Sequence, residues 1–411
     1  MIDILRKEDC VGCNACVQRC PEKCIEMVED GQGFVYPRAD ADKCIGCDLC
    51  ERVCPVLNRN EPAKPKAVYA AKNADGEIRT TSSSGGVFHA LARSVIEDGG
   101  VVFGAKFNER WEVVHDYAET LEEVRAFQGS KYVQSAIGDA FRRAEDFLKH
   151  GRRVMFTGTP CQLAGLQSFL GRDWGDKLLK VDVVCHGVPS PLVWREYLKY
   201  ITASGDGRIE ITGVSFRDKR SGWEKFGLTV RAAEAESDPT SDSPRDEFEL
   251  LFEPLTENRY MRGFLKDLYL RPSCYSCPAK RGRSRSDITL ADFWGIRYRV
   301  PRFYDPSGVS LLLINSDRGE RVFSSLRLES ERVSYDAALS SNRAIERSVK
   351  RPKQSGDFWR GFEAEGFPIV DRLCDEIRPS RRELWAARVR RGLSKVKRTA
   401  VGMFHFGKQN R

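Results

Sequence analysis

The chain has 411 residues, 41% of them hydrophobic and 10% aromatic. That is enough for two or three packed domains of ~100–200 residues each, and no apolar run approaches the ~20 residues of a membrane span. The formal net charge is +8, but the 34 residues from Arg378 to Arg411 hold eleven Lys/Arg against one Glu. The tail therefore carries +10 and the other 377 residues −2, which excludes a body built to bind nucleic acid, because such a body shows a basic face in its folded domains.

The opening segment, Met1-Ile-Asp-Ile-Leu-Arg-Lys7, has neither the apolar core nor the cleavage site of an export signal. With fourteen cysteines, the expectation is a cytoplasmic, metal-binding protein. Cys10, Cys13, Cys16 and Cys20 precede Pro21, and Cys44, Cys47, Cys50 and Cys54 precede Pro55. Both runs read C-x2-C-x2-C-x3-C-P, the ligand pattern of a bacterial-type ferredoxin with two 4Fe-4S clusters. In that pattern three thiolates wrap one cluster and the fourth crosses to the other. Cys10, Cys13, Cys16 and Cys54 are thus assigned to one cluster, and Cys44, Cys47, Cys50 and Cys20 to the second. Zinc and disulfides are the rival readings, and neither requires the same spacing twice. Cys24 falls outside the template and reads as a small buried hydrophobe. Between the runs, Ile25–Val28, Asp30–Gly33 and Phe34–Tyr36 read as a hairpin.

Residues 1–58 are read as the two-cluster domain and 59–66, polar with two prolines, as a linker. A β/α alternation follows. Ala67–Lys72 is a predicted strand, Thr80–Gly86 a small-residue loop, Val87–Asp98 a helix ended by Gly99-Gly100, and Val101–Lys106 a strand. Arg153–Phe156 is a strand, Thr157–Cys161 a turn, Gln162–Leu170 a helix, and Leu178–Val184 a strand with a helix from about Pro191. Ile209–Phe216 and Phe226–Ala232 read as a hairpin, and Glu234–Glu247 as an exposed insertion. Glu257–Leu268 is a predicted helix, and Asp287–Ala291 and Val309–Asn315 are strands. Beyond about residue 330 the chain reads as helical and polar.

Four further cysteines invite a second metal site. Cys161 and Cys185 each follow a predicted strand, so parallel pairing would put both thiols at the carboxyl edge of a sheet, where open α/β folds place their sites. Cys274 and Cys277 add a C-x2-C pair. A third 4Fe-4S cluster, a Cys₄ zinc site and a redox-active C-x2-C all fit this spacing. His186 reads as a hydrogen-bonding neighbour, and Cys374 as an inert buried thiol.

Together these motifs carry a resemblance. Ser83-Ser-Gly-Gly86 opens a helix, and Gly129-Ser-Lys-Tyr132, Thr157-Gly-Thr-Pro-Cys-Gln162, Cys274-x2-Cys277 and Ser286-Asp-Ile-Thr-Leu-Ala-Asp-Phe-Trp-Gly295 follow in order. In this order the chain resembles the beta subunit of coenzyme F420-reducing hydrogenase and of formate dehydrogenase over residues 67–330. The resemblance implies an α/β flavin-binding body with a mixed sheet, split into 67–150 and 151–330, after an α+β two-cluster domain. A helical region with a basic tail, 331–411, would complete the chain. It also implies FAD and a 4Fe-4S cluster on Cys161, Cys185, Cys274 and Cys277. Members with a fused two-cluster domain include bacterial proteins associated with surface-polysaccharide synthesis. The plant hydroxymethyl-chlorophyll reductase belongs to the same broad group.

The flavin expectations have physical content. Ser83, Ser84, Gly85 and Gly86 sit at a helix amino terminus, where free N–H groups suit a pyrophosphate; an empty Ser/Gly cap is the plain alternative. Lys131 is a candidate for a flavin phosphate or the ring's anionic edge, and a solvated lysine is its alternative. Thr157, Gly158 and Thr159 are candidates for lining the isoalloxazine pocket. Asp292 and Trp294 are pocket residues or, equally, a helix cap and a core aromatic.

The expected activity is a flavin-dependent iron-sulfur oxidoreductase passing electrons between a two-electron partner and the clusters. Its partner would be a redox protein or reducible substrate, with deazaflavin or NAD(P)H as hydride donor. No complete G-x-G-x-x-G is present to mark a Rossmann NAD site. The alternative is an electron carrier with no substrate site and with zinc on the four later cysteines. No residue is singled out as catalytic. Trp385, Val389, Leu393, Val396 and Ala400 form an apolar stripe in the basic tail, which reads as a packed helix or as a peripheral contact with the inner face of the membrane.

Overall fold

A computed structural model describes residues 1–203, 209–234 and 246–376. The tail stripe and most of the Glu234–Glu247 insertion lie outside them. The amino-terminal unit carries one antiparallel hairpin, β1 (Ile25–Glu29) and β2 (Val35–Ala39), in register Ile25↔Ala39. Its turn is set by Asp30, whose carboxylate accepts from the backbone of Gln32 and Phe34.

The body is built on one eight-stranded sheet. Its strands are β3 (Ala67–Asn73), β4 (Val101–Phe107), β5 (Val113–Ala118), β6 (Val154–Gly158), β7 (Leu178–Val183), β11 (Ile288–Asp292), β12 (Ser310–Ile314) and β13 (Leu328–Arg332). Their spatial order is β13-β3-β12-β11-β7-β6-β4-β5. The middle four, β11-β7-β6-β4, pair in parallel, and every outer pairing is antiparallel. Two antiparallel steps separate β3 from β11, so β3 points the same way as the parallel core. The loops after β3, β11, β7, β6 and β4 therefore share one carboxyl edge.

The parallel strands are largely buried on both faces, and β7 keeps Lys180 and Asp182 buried among its apolar residues. Helix Val87–Glu97 turns Val87, Leu91, Ala92 and Val95 inward against Val102, Met155 and Val181. On the opposite face, Ala140–Lys149 and Pro160–Leu170 bury Phe141, Leu163 and Leu166 against Phe103 and Phe156. A separate three-stranded antiparallel sheet, β10-β9-β8, is formed by β8 (Ile209–Asp218), β9 (Gly227–Glu234) and β10 (Phe248–Pro254).

Several expectations change. Residues 157–161 are not a free turn: Thr159 caps the helix, Pro160 opens it, and Gln162 closes a capping box, so Cys161 lies in its first turn. The small-residue loop is shortened by helix Gly76–Thr81, capped by Asp75. β10 follows the insertion where no strand was expected, and β13 interrupts the region read as helical. The segment read as a linker is pinned to the body: Asn60 and Arg283 exchange hydrogen bonds with each other's carbonyls at 2.9 and 3.0 Å, and Ala63 N–H reaches the Arg281 carbonyl at 2.9 Å. Gly282 lets the Ala63 carbonyl approach, since a Cβ there would come within 2.4 Å of its oxygen.

Candidate functional site

The two amino-terminal cysteine runs share one backbone conformation. Gly12 and Gly46 are left-handed at φ 69° and 67°, and so are Asn14 and Asp48 at 64° and 56°. Gly and Asn/Asp tolerate this region best, and consecutive turns of this kind aim backbone N–H groups at a common centre. Gly12 N–H lies 3.4 Å from Cys10 Sγ, and Ile2 N–H 3.3 Å from Cys50 Sγ.

The thiols form two groups. Burial raises Cys13, and Cys16, Cys10 and Cys54 raise it further; burial, Cys10 and Cys54 push Cys16 up to about 12. Cys10, Cys13, Cys16 and Cys54 thus face one another. Cys20, Cys44, Cys47 and Cys50 line a separate surface cleft of about 340 Å³. Four thiolates in one space repel each other, and a cationic iron-sulfur core offsets that repulsion, so both donor sets fit a cluster. Cys24 is more than a core filler: its sulfur is 3.4 Å from Cys20 Sγ on the rim of the second group, and that contact leads in pushing it up to about 11.

The later cysteines also converge. Gly158 on β6 and Asp182 on β7 are register partners, and Cys161 and Cys185 each lie three residues beyond them. Cys274 and Cys277 arrive on the turn after Leu270, which bridges to Pro189. Val188 N–H points at Cys274 Sγ at 3.4 Å, and Ser348 Oγ accepts from Cys277 N–H at 2.9 Å. Burial pushes Cys161 up to about 12, helped by Cys277 and Cys185. Burial likewise raises Cys274, with Cys185, Cys277 and Cys161 adding to it. Among the described residues, no three His, Cys, Asp or Glu side chains close around one point tightly enough for a single metal ion. A zinc ion, with sulfur at about 2.3 Å, would need these thiols to contract. His186 is turned away to Asp267, 2.6 Å from Nε2.

Behind Cys161 runs a buried polar chain. Thr159 Oγ1 is 3.2 Å from Cys161 Sγ and 3.0 Å from Gln162 Oε1. Gln162 Nε2 donates to Ser135 Oγ at 2.8 Å, Ser135 meets His115 Nδ1 at 2.9 Å, and His115 Nε2 meets the Thr157 carbonyl at 3.0 Å. Burial pushes His115 down to about 4, so it is neutral at pH 7. The unfolded chain protonates this histidine below about pH 6.5 while the folded one resists until about pH 4. Stability is therefore lost as pH falls through that window, by about 2 kcal/mol between pH 6.5 and 5. Urea unfolding at several pH values should show this slope in wild type and a flatter one in His115→Asn; equal slopes would assign the loss elsewhere.

The first and third cysteine groups meet across helix Pro160–Leu170. Gly165 lies one turn after Cys161, and a Cβ on it would come within 2.9 Å of Cys13 Sγ. Val11 and Pro55 share a cleft of about 240 Å³ with Cys161 and Pro278.

The flavin candidates occupy two places on the carboxyl edge. Ser83 Oγ accepts from Ser130 N–H at 2.9 Å, Ser84 Oγ donates to the Val309 carbonyl at 2.8 Å, and Gly85 N–H donates to Ser310 Oγ at 3.0 Å. Gly86, at φ 78°, opens helix Val87–Glu97 with no side-chain cap on its first-turn N–H groups. Lys131 instead points into its own loop, donating to the Ala126 and Gln128 carbonyls at 2.7 and 2.8 Å. Desolvation pushes it down to about 7. Thr157 Oγ1 donates to the Phe103 carbonyl at 2.8 Å, and Gly158 packs against Gln162 and Leu163.

Two buried arginines escaped sequence reading. Arg217 is 5% exposed and grips Asp292 at 2.9 and 3.0 Å, the Ser83 carbonyl at 2.9 Å and the Tyr132 hydroxyl at 3.2 Å. It joins the Ser83 loop and the Lys131 loop to the end of β11. Trp294 stacks on Trp223 at 5.2 Å. Arg271 lies between the first and third cysteine groups. One arginine among 67 basic residues carries no positional signal by itself.

Residues 151–335 match the family model for the C terminus of the coenzyme F420 hydrogenase/dehydrogenase beta subunit, and residues 68–142 match the model for its N-terminal part. Residues 3–59 match a 4Fe-4S dicluster domain. No curated protein matches. Among solved structures, a chain of the F420-reducing NiFe hydrogenase complex from Methanosarcina barkeri is similar at 17% identity and a TM-score of 0.43, covering 71% of this chain and 97% of its own.

Proposed function

Because this chain belongs to the coenzyme F420 hydrogenase/dehydrogenase beta-subunit family and carries a 4Fe-4S dicluster domain at its amino end, we propose that it is an iron-sulfur flavoprotein oxidoreductase. It relays electrons between a two-electron donor or acceptor at FAD and three 4Fe-4S clusters. The observation that carries this reading is the convergence of Cys161, Cys185, Cys274 and Cys277 one helical turn, about 6 Å, from the residue that packs on Cys13.

The clusters take single electrons and a flavin converts these to two-electron chemistry. The chain's own residues do the rest. The open first turn of helix Val87–Glu97 would receive the pyrophosphate, with Ser83 and Ser84 holding the loop before it. Thr157, Gly158 and Thr159 would line the ring pocket beside Cys161. Lys131 would serve the flavin by fixing its loop, since its amine is committed to carbonyls. Cys185, Cys274 and Cys277 would complete the inner cluster site with Cys161. Cys20, Cys44, Cys47 and Cys50 border a surface cleft beside Ile45, 64% exposed, so the second cluster is the natural outlet to a redox partner.

No helix of the described residues is long and apolar enough to cross a membrane. Anaerobic purification should give about twelve iron atoms per chain, following three clusters of four, and one flavin that NADPH, NADH or reduced coenzyme F420 bleaches. Eight iron atoms with one zinc, and no flavin reduced by any donor, would instead establish an electron carrier with a structural zinc site.

A further inference from the structure

Arg271 is 1% exposed, and its guanidinium is surrounded by acceptors that carry no formal charge. Nε donates to the Cys10 carbonyl at 2.9 Å, Nη1 to Gln134 Oε1 at 3.1 Å, and Nη2 to the Val35 carbonyl at 2.9 Å. The fourth acceptor is Cys10 Sγ, 3.6 Å from Nη2. Tyr36 and Phe34 flank the charge with ring centres at 4.5 and 5.5 Å. A buried cation without an anion is costly. Cys10 as a thiolate on an anionic cluster supplies the missing partner.

The surrounding chain is shaped around this group. A Cβ on Gly12, inside the first cysteine run, would come within 2.8 Å of Nη1 and 3.0 Å of Cζ. Arg271 also opens the turn that delivers the third group, its N–H bonding the Val188 carbonyl at 3.0 Å and its carbonyl accepting from Cys274 N–H at 2.9 Å. One side chain therefore touches a ligand of the first group while its backbone anchors a ligand of the third.

We propose that Arg271 is a positioning residue that locks the Cys10 cluster against the third cysteine group and raises that cluster's reduction potential. This rests on the cluster reading above. In the relay step, the cluster on Cys161, Cys185, Cys274 and Cys277 loses one electron and the cluster on Cys10, Cys13, Cys16 and Cys54 gains it, or the reverse, with no bond made or broken. Reduction adds one negative charge beside the guanidinium, so the charge favours the reduced form and N–H···S bonding adds to it.

The test is a dithionite titration of the full chain followed by electron paramagnetic resonance. In Arg271→Gln, one midpoint should fall so that reduction is about tenfold less favourable, about 59 mV for one electron. The other midpoints should hold, and Arg271→Lys should recover part of the shift. If Arg271→Gln retains its iron with every midpoint at the wild-type value, the inference fails. If that variant loses iron, wild type grown on 15N-arginine decides the matter. Guanidinium 15N coupling to a reduced cluster supports the contact, and no coupling overturns it. A wild type with no cubane signal at all would sink the cluster reading itself, which is a separate result.

Discussion

Cys161→Ala is expected to hold about eight iron atoms per chain instead of about twelve, the loss of one cluster of four. Its amino-terminal pair should stay reducible by dithionite but no longer by a hydride donor acting through the flavin. The reason is positional. Cys161 stands in the first turn of helix Pro160–Leu170, and Gly165 of the same helix packs on Cys13. The third group is thus the step between the carboxyl edge of the sheet and the dicluster domain. Alanine leaves three thiols, and burial keeps Cys185 and Cys274 protonated unless a metal core compensates them. Cys374→Ala is the matched control. Cys374 is buried in the core with Leu373 and Phe358, far from any cysteine group in sequence, and its removal should leave iron unchanged. Twelve iron atoms in Cys161→Ala would remove this thiol from the ligand set.

Arg217→Met should destabilise the body by about 3–5 kcal/mol, the usual result of removing one partner of a buried ion pair. Asp292 would be left with Trp223 Nε1, at 3.1 Å, as its remaining side-chain donor. The Ser83 carbonyl and the Tyr132 hydroxyl would lose their donor together. Arg217→Met/Asp292→Asn should recover part of that loss, because no uncompensated charge remains. Urea midpoints of the two variants and wild type measure this. Since Arg217 ties both candidate flavin loops to β11, the single variant should also retain less flavin. A loss under about 1 kcal/mol would mean that the pair is solvated and holds neither loop.

Much of the fold was legible because it rests on short-range physics. Helix Val87–Glu97 repeats its apolar residues at helical spacing and stops before Gly99-Gly100. The core strands β4 and β6 open on apolar runs, Val-Val-Phe103 and Val-Met-Phe156. β13 was not legible: its sequence is Leu-Glu-Ser-Glu-Arg332, and it pairs only as an edge on β3. An edge strand with no buried face has no periodic signal to read. The start of helix Pro160–Leu170 was misplaced because a proline at the first helical position looks like a breaker until its cap is seen. Lys131 was legible as a special lysine but not in its direction, since a long flexible side chain takes its target from the loop around it.

The sequence by itself determined the eight amino-terminal cysteines and their order, because cluster ligation constrains residues only two or three apart and leaves the same imprint twice. It also determined that Cys161 and Cys185 follow strands. Only the tertiary structure decided that these two meet Cys274 and Cys277, more than eighty residues farther along the chain. It alone decided that Arg217 and Arg271 are buried beside the groups they hold. Neighbours along the chain determine local conformation, whereas the burial of a charge depends on every element packed around it.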